Sequence, residues 1–248
     1  QRPNDQDAGP GIADPGQSEI RRNRESGFAG PACREGGAKL DRVIYVAMTG
    51  AKYLLSRQGN VAQNLANVST TGYRAVETAF RAVPVVGEGL PTRTFVVDST
   101  TGSNFAAGPV QTTGRDLDVA VQGAGWIAVQ GGDGKEAYTR SGSLQVSTNG
   151  LLQTRSGLNV LGDGGPISIP PDSNITIARD GTVSVVSIIP PPTSVNEVGR
   201  IKLVNPDEKQ LVRGGDGLFR LAKGGNAPAD PVVALAGRAL EGSNVSAV

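Results

Sequence analysis

The sequence predicts a mainly β protein that carries one long, coiled-coil-type helix on its N-terminal side. Three observations predict it. Ile44, Ala47, Ala51, Leu54, Gln58, Val61, Leu65 and Val68 recur at alternating steps of three and four, the spacing of a heptad seam. Beyond about residue 80 the apolar period becomes two, in runs of strand length. Those runs are separated by Asp-Gly and Asn-Gly pairs, in a chain of 248 residues with 35 Gly and 16 Pro, a turn-rich composition that stops short of low complexity.

Residues 1–40 hold four large apolar side chains, Ile12, Ile20, Phe28 and Leu40, scattered among charges, Gly and Pro. Such a segment buries too little surface to offset an ordering cost of about 1–2 kcal/mol per residue, so it reads as a disordered extension. The seam then predicts a helix over 41–68, about 40 Å long at a rise of 1.5 Å per residue. Gly50 and Gly59 each weaken it by about 1 kcal/mol relative to Ala. Gln58 is the only polar member of the seam, and the small Ala47 and Ala51 favour close approach of another helix. The seam needs a partner surface, supplied either by its own domain or by another segment or subunit. The helix is expected to end within Asn64–Tyr73, where Asn, Ser and Thr compete for backbone hydrogen bonds and Gly72 can take a positive φ.

The strand-length runs are Thr94–Val97, Leu117–Val121, Trp126–Val129, Tyr138–Val146, Ile167–Ile169, Ile175–Ile177, Val183–Val186, Ile201–Val204 and Leu218–Leu221. Turn chemistry separates many of them, at Gly131-Gly132-Asp133-Gly134, Asn149-Gly150, Asp163-Gly164-Gly165 and Asp180-Gly181. The clearest hairpin is Ile175–Val185, with apolar residues alternating on both sides of Asp180-Gly181. Pro190-Pro191-Pro192 interrupts this β body and reads as a loop or a stiff polyproline connector. Trp126, the single tryptophan, sits in an alternating run and reads as a core anchor.

Composition excludes several chemistries. Histidine is absent, which removes imidazole general bases and His-ligated metals. The lone Cys33 forms neither an internal disulfide nor a Cys-based zinc site. Twenty-four Lys+Arg balance 23 Asp+Glu, leaving no electrostatic footprint for nucleic acid. No apolar run approaches the ~18 residues of a membrane span, and the N-terminal residues lack the basic and apolar regions of a secretory signal. Asp163-Gly164-Gly165 and Gly214-Gly215-Asp216-Gly217 have neither the P-loop pattern nor EF-hand spacing, so they read as hairpin turns. No catalytic, cofactor or metal residues are assigned.

Asp41–Ala51 and Asn64-Leu65-Ala66-Asn67-Val68-Ser69-Thr70-Thr71-Gly72-Tyr73-Arg74 resemble the N-terminal signature of the bacterial flagellar rod and hook proteins. Further matches to that family are Leu117–Trp126, Tyr138–Gly142, Val160–Ile167, Asp180–Ser184, Asp216–Phe219 and Leu240–Val245. Within it, Phe80–Pro84, Thr92–Thr94 and the run containing Trp126 are similar to a proximal-rod member more than to a distal-rod one. The resemblance covers about residues 41–248. It implies a structural subunit of a helical tube in the periplasm-spanning rod, with no cofactor. Its partners would be other rod subunits and copies of itself, and it would pass through the flagellar export apparatus without a cleaved signal peptide. Terminal helices would pair in the inner layer, which supplies the partner that the seam requires, and Asn64, Leu65, Ala66, Asn67, Thr71, Gly72 and Tyr73 are the matching motif positions.

The resemblance also implies a domain scheme. Residues 1–40 would be a disordered non-native or upstream extension, because the family usually has Met where this chain has Leu40. Residues 41–79 are the rod helix and its linker, 80–222 the β body, and 223–248 a connector toward a C-terminal helix that the family has and this sequence lacks. The rival reading is a β-rich surface module that binds a glycan or host ligand and uses the helix to trimerise. Asn64–Arg74 discriminates between them, since a ligand-binding module has no evident need of that stretch.

Overall fold

A computed structural model of the chain describes residues 37–84, 94–188 and 195–246, and the side chains within them other than those of 37–43 and 98–101. Residues 1–36 of the expected extension, with Cys33, lie outside the described residues, as does Pro190-Pro191-Pro192. The unit from Arg42 onward carries every element below except the first turn of the helix.

Helix α1 spans Gly37–Ala66, starting four residues earlier and ending two earlier than the seam predicts. Its end follows from local side-chain competition. The Asn67 carboxamide donates to the Gln63 carbonyl at 2.9 Å and accepts the Thr70 hydroxyl at 3.1 Å, and Gly72 then reverses the chain at φ +68°.

The chain next forms β1 (Val76–Pro84), β2 (Thr94–Ser103), β3 (Val110–Thr112), β4 (Val119–Gln122), β5 (Trp126–Gln130) and β6 (Glu136–Thr139). It continues through β7 (Leu144–Val146), β8 (Leu152–Thr154), β9 (Leu161–Gly162), β10 (Gly165–Pro166), β11 (Ser173–Ile177) and β12 (Thr182–Ser187). The last six are β13 (Val195–Arg200), β14 (Leu203–Val204), β15 (Leu211–Arg213), β16 (Phe219–Leu221), β17 (Ala234–Gly237) and β18 (Ala239–Glu241). The protein is mainly β, as predicted, and among the described residues no helix follows β18.

A five-stranded sheet of order β14-β5-β6-β16-β15 sits at the centre, and β11-β12-β13 form a three-stranded sheet. Strand β5 is buried on both faces. Ile127 and Val129 enter a cluster with Leu144, Leu152, Val160 and Val183, while Trp126 and Ala128 enter a second one with Tyr138, Leu211 and Phe219. The period-two geometry of a strand thus divides the body into two cores, and Trp126 is the core anchor that the sequence predicts. The Asp180-Gly181 hairpin is also as expected, pairing Ile175 with Val185 and Ile177 with Val183.

Other expectations need correction. Tyr138–Val146 is not one strand, because residues 140–143 part β6 from β7. Arg140 turns into a buried ion cluster there, and a Cβ on Gly142 would collide with the Val119 carbonyl oxygen. Ile167 and Ile169 are buried around an isolated bridge from Leu151 to Ser168 rather than on a strand. Residues 223–248, expected as a connector, carry β17 and β18, which pair with β4 and β3. Their small side chains (Ala234, Ala236, Gly237, Ala239) write no alternating apolar pattern, so only pairing reveals them.

Candidate assembly interface

Helix α1 turns its apolar face outward. Ile44 is 48% exposed, Leu54 68% and Leu65 62%, and Ala47, Ala51, Gln58, Val61 and Val68 are exposed with them. All eight predicted seam residues therefore share an open surface. Tyr45, Met48 and Leu55 are exposed beside them. At about 100° per residue, positions 61, 54, 65, 51, 44, 55 and 48 sweep an apolar arc about 140° wide. Lys52 and Arg57, both exposed, stand at its two edges.

The opposite, largely polar face of α1 holds the body. Tyr53 packs edge-on against Phe80 of β1, with ring centroids 6.0 Å apart. Asn60 donates to the Thr78 hydroxyl at 2.6 Å. The Asn64 carboxamide imitates a neighbouring strand, donating to the Val76 carbonyl and accepting the Val76 N–H, both at 2.9 Å. It also accepts the Tyr73 hydroxyl at 3.2 Å.

The other motif residues form the junction behind this face. Thr71 meets the Ser141 hydroxyl at 3.2 Å. The Gly72 N–H donates to the Glu241 carbonyl at 2.8 Å, and a Cβ at Gly72 would run into the Arg140 backbone. Tyr73 is buried under the Arg213 guanidinium, 4.5 Å from its ring centroid. Leu65 and Ala66 remain exposed, so the motif divides into residues that face outward and residues that hold α1 to the body.

Next to Tyr73 lies a buried ion cluster. Glu241 Oε1 is 2.8 Å from Arg74 Nη2, and its Oε2 is 3.0 Å from Arg140 Nη1. The Arg74 and Glu241 side chains are 0% and 1% exposed. Two guanidiniums share one carboxylate, and the indole of Trp126 takes up part of the excess, lying 5.9 Å from the Arg74 guanidinium and 5.4 Å from that of Arg140. Burial holds the Arg140 guanidinium below its usual range; Glu241 opposes that shift and the Arg74 cation reinforces it. Arg140 has other acceptors, the carbonyls of Gly123 at 2.6 Å and Val121 at 3.4 Å. Arg74 has no such acceptor beyond the ion-pair contact with Glu241: none of its guanidinium nitrogens has an aligned hydrogen bond within the described residues.

The apolar periodicity of α1 is legible in the sequence, whereas nothing local marks the roles of Arg74, Arg140 and Glu241, which lie in family-like stretches without an assigned function. The anchoring stripe of α1 was also missed. The signal available for that stripe was Tyr53, Asn60 and Asn64, spaced at seven and four on the face opposite the seam.

The family model described as flagella basal body rod protein matches residues 44–74, which are α1 from the start of its exposed seam through Arg74. The model described as the flagellar hook protein FlgE/F/G D1 domain matches residues 120–185, which include β5, β6 and the Asp180-Gly181 hairpin. The chain is 47% identical over 215 residues to the flagellar basal-body rod protein FlgF of Escherichia coli strain K12, covering 84% of this chain and 85% of that one. It is 36% identical to FlgF of Caulobacter vibrioides, covering 73% of each chain. It is 30% identical to the basal-body rod protein FlgG of Bacillus subtilis strain 168, over 82% of this chain and 85% of that one. The FlgF likeness accords with the proximal-rod features noted in the sequence, and the chain belongs to the flagellar basal-body rod proteins, in the FlgF family.

Proposed function

We propose that this chain is a structural subunit of the proximal flagellar rod, and that copies of it and other rod subunits assemble through α1 into a helical tube that transmits torque. The observation that supports this most directly is the inverted placement of α1, whose polar face binds its own body while an apolar arc about 140° wide is left open. That arc is broader than the two-position seam of a dimeric coiled coil, so it suits two neighbouring helices at once. Lys52 and Arg57 at its edges favour neighbours with acidic residues beside their apolar stripes. The seam residues Ile44, Ala47, Ala51, Leu54, Gln58, Val61, Leu65 and Val68 are then assembly contacts. The role is mechanical and needs no catalysis, cofactor, nucleic acid or small-molecule substrate. Family membership favours it over a glycan-binding surface module, and supports a place in the periplasm-spanning rod after passage through the flagellar export apparatus without a cleaved signal peptide.

Leu65→Asp tests the reading in the full-length protein. An unpaired carboxylate in a desolvated interface costs several kcal/mol, so rod completion and swimming motility should be lost. The circular dichroism and melting of the β body should be unchanged, because Leu65 lies outside its cores. Normal motility, or collapse of the purified body, would overturn the proposal.

A further inference from the structure

We infer that Glu241 latches the end of α1 to the C-terminal segment of the described chain, so that residues 70–75 and 239–245 order and release as one unit. Residues 70–75 belong to no strand, and three hydrogen bonds to their backbone tie them to the other segment. The Gly72 N–H donates to the Glu241 carbonyl, the Asn244 N–H donates to the Tyr73 carbonyl at 3.3 Å, and the Ala75 N–H donates to Asn244 Oδ1 at 2.7 Å. Asn244 then ties both to the loop after β2 by donating to the carbonyls of Asn104 and Ala106, each at 2.8 Å.

The charges make this grip all-or-none. Glu241 Oε1 contacts Arg74 and also accepts the Gly108 N–H at 2.9 Å, while Oε2 holds Arg140. Without that carboxylate two cations stay buried with no counter-charge in contact, a state that proteins avoid by opening locally. Arg140 keeps two carbonyl acceptors, whereas Arg74 keeps none. The segment that opens is therefore the one carrying Arg74, and its release frees the acceptors that Asn244 and Glu241 share with it. Removing Arg140 instead leaves a neutral Arg74–Glu241 pair and a closed latch. The latch stands without the assembly reading. Its consequence rests on that reading: a neighbour that fixes α1 would order residues 239–245, and ordering them would strengthen docking by the same factor.

Amide hydrogen exchange on the monomer tests the latch independently of assembly. Glu241→Gln should accelerate exchange at Gly72, Ala75 and Asn244 together by about tenfold or more, with Val129 and Ala137 unchanged and a red shift in the emission of Trp126, the chain's only tryptophan. Arg140→Gln should leave Gly72 and Ala75 protected. If Glu241→Gln does not fold, Arg74→Met serves: Glu241 stays paired with Arg140, so no charge is orphaned, but residues 70–75 lose their side-chain hold on Glu241, and exchange should rise at Asn244 as well as Gly72 and Ala75, by less than in Glu241→Gln. Faster exchange confined to one segment in either variant, or no change in both segments, would overturn the latch. Normal motility of Leu65→Asp, with the exchange pattern of the latch as expected, would count against the assembly reading alone.

Discussion

Strand β5 and helix α1 are both rich in aliphatic residues, and they use them in opposite ways. Every residue of Trp126–Val129 is buried, at 3% exposure or less, because one strand feeds two cores on its alternate faces. In α1 the side chains that reach the body include Tyr53, Asn60 and Asn64, and the aliphatic ones face out. Full burial of a Leu, Val or Ile side chain contributes about 1.5–3 kcal/mol, a stabilisation that β5 realises within the monomer and α1 holds in reserve. A hydrophobic face of this width without a partner is a surface for association, so the difference separates the part that folds for itself from the part that folds for its neighbours.

The largest effect expected from this contrast lies in the core. Leu152 is fully buried between β5, β7 and the 160–169 segment, and Leu152→Ala should lower stability by about 2–5 kcal/mol, read as a drop in the denaturation midpoint of the purified chain. A loss below about 1 kcal/mol would mean that the body is loosely packed and that the contrast with α1 is one of degree.

How much of this was legible in the sequence depends on how far apart the cooperating residues are. The seam from Ile44 to Val68 is a local pattern, and so is the Asp180-Gly181 hairpin, whose arms write their register in alternating Ile and Val. Strand β1 was missed because its residues are mostly exposed and carry no clean alternation. The polar face of α1 was missed because Asn64 finds Val76 only after the chain reverses at Gly72. The ion cluster was the least legible, since Arg140 and Glu241 stand 101 positions apart and nothing local to either marks the other.

Tyr138→Phe comes next in size and sharpens the account of the second core. The Tyr138 hydroxyl accepts the Ala227 N–H at 2.7 Å and donates to Glu136 at 2.9 Å, and Lys202 closes the network on Glu136 at 2.7 Å. Removing the hydroxyl orphans a buried N–H, so about 1–3 kcal/mol should be lost at neutral pH. Burial, with the Glu136 carboxylate adding to it against the Ala227 N–H, pushes the Tyr138 phenol up to about 12. The proton is held more tightly in the folded chain, so this contribution is present below the unfolded value near 10 and is lost as pH rises toward 12. The stability difference between wild type and Tyr138→Phe should therefore shrink across that window; a gap constant to pH 12 would show that the phenol is not so held.

A smaller effect is expected from the surface ion pair at the β15–β16 turn. Arg220 donates to Asp216 at 3.0 and 2.7 Å, and this bond is the first cause holding the Asp216 carboxyl below its ordinary range. Both groups are partly exposed, so Asp216→Asn should cost no more than about 1 kcal/mol at pH 7. A depressed carboxylate stabilises above its unfolded value and ceases to do so as pH falls through the folded one, so wild type and variant should converge in acid when followed by denaturant titration. Divergence in acid would mean that Arg220 does not set the carboxyl.

The smallest effect on stability belongs to α1, and it bears hardest on the contrast. Leu54→Gln keeps nearly the same helix propensity and removes an aliphatic side chain that touches water rather than the body. The purified monomer should melt within about 0.5 kcal/mol of wild type, against the several lost by Leu152→Ala. Hydrogen exchange should leave Val129 and Ala137 as protected as before. If Leu54→Gln instead cost 2 kcal/mol or more, as a core leucine does, the seam would be packed against the chain's own body. The open face of α1 would then be an ordinary buried one, and the distinction between a self-sufficient body and a helix held for its neighbours would fall.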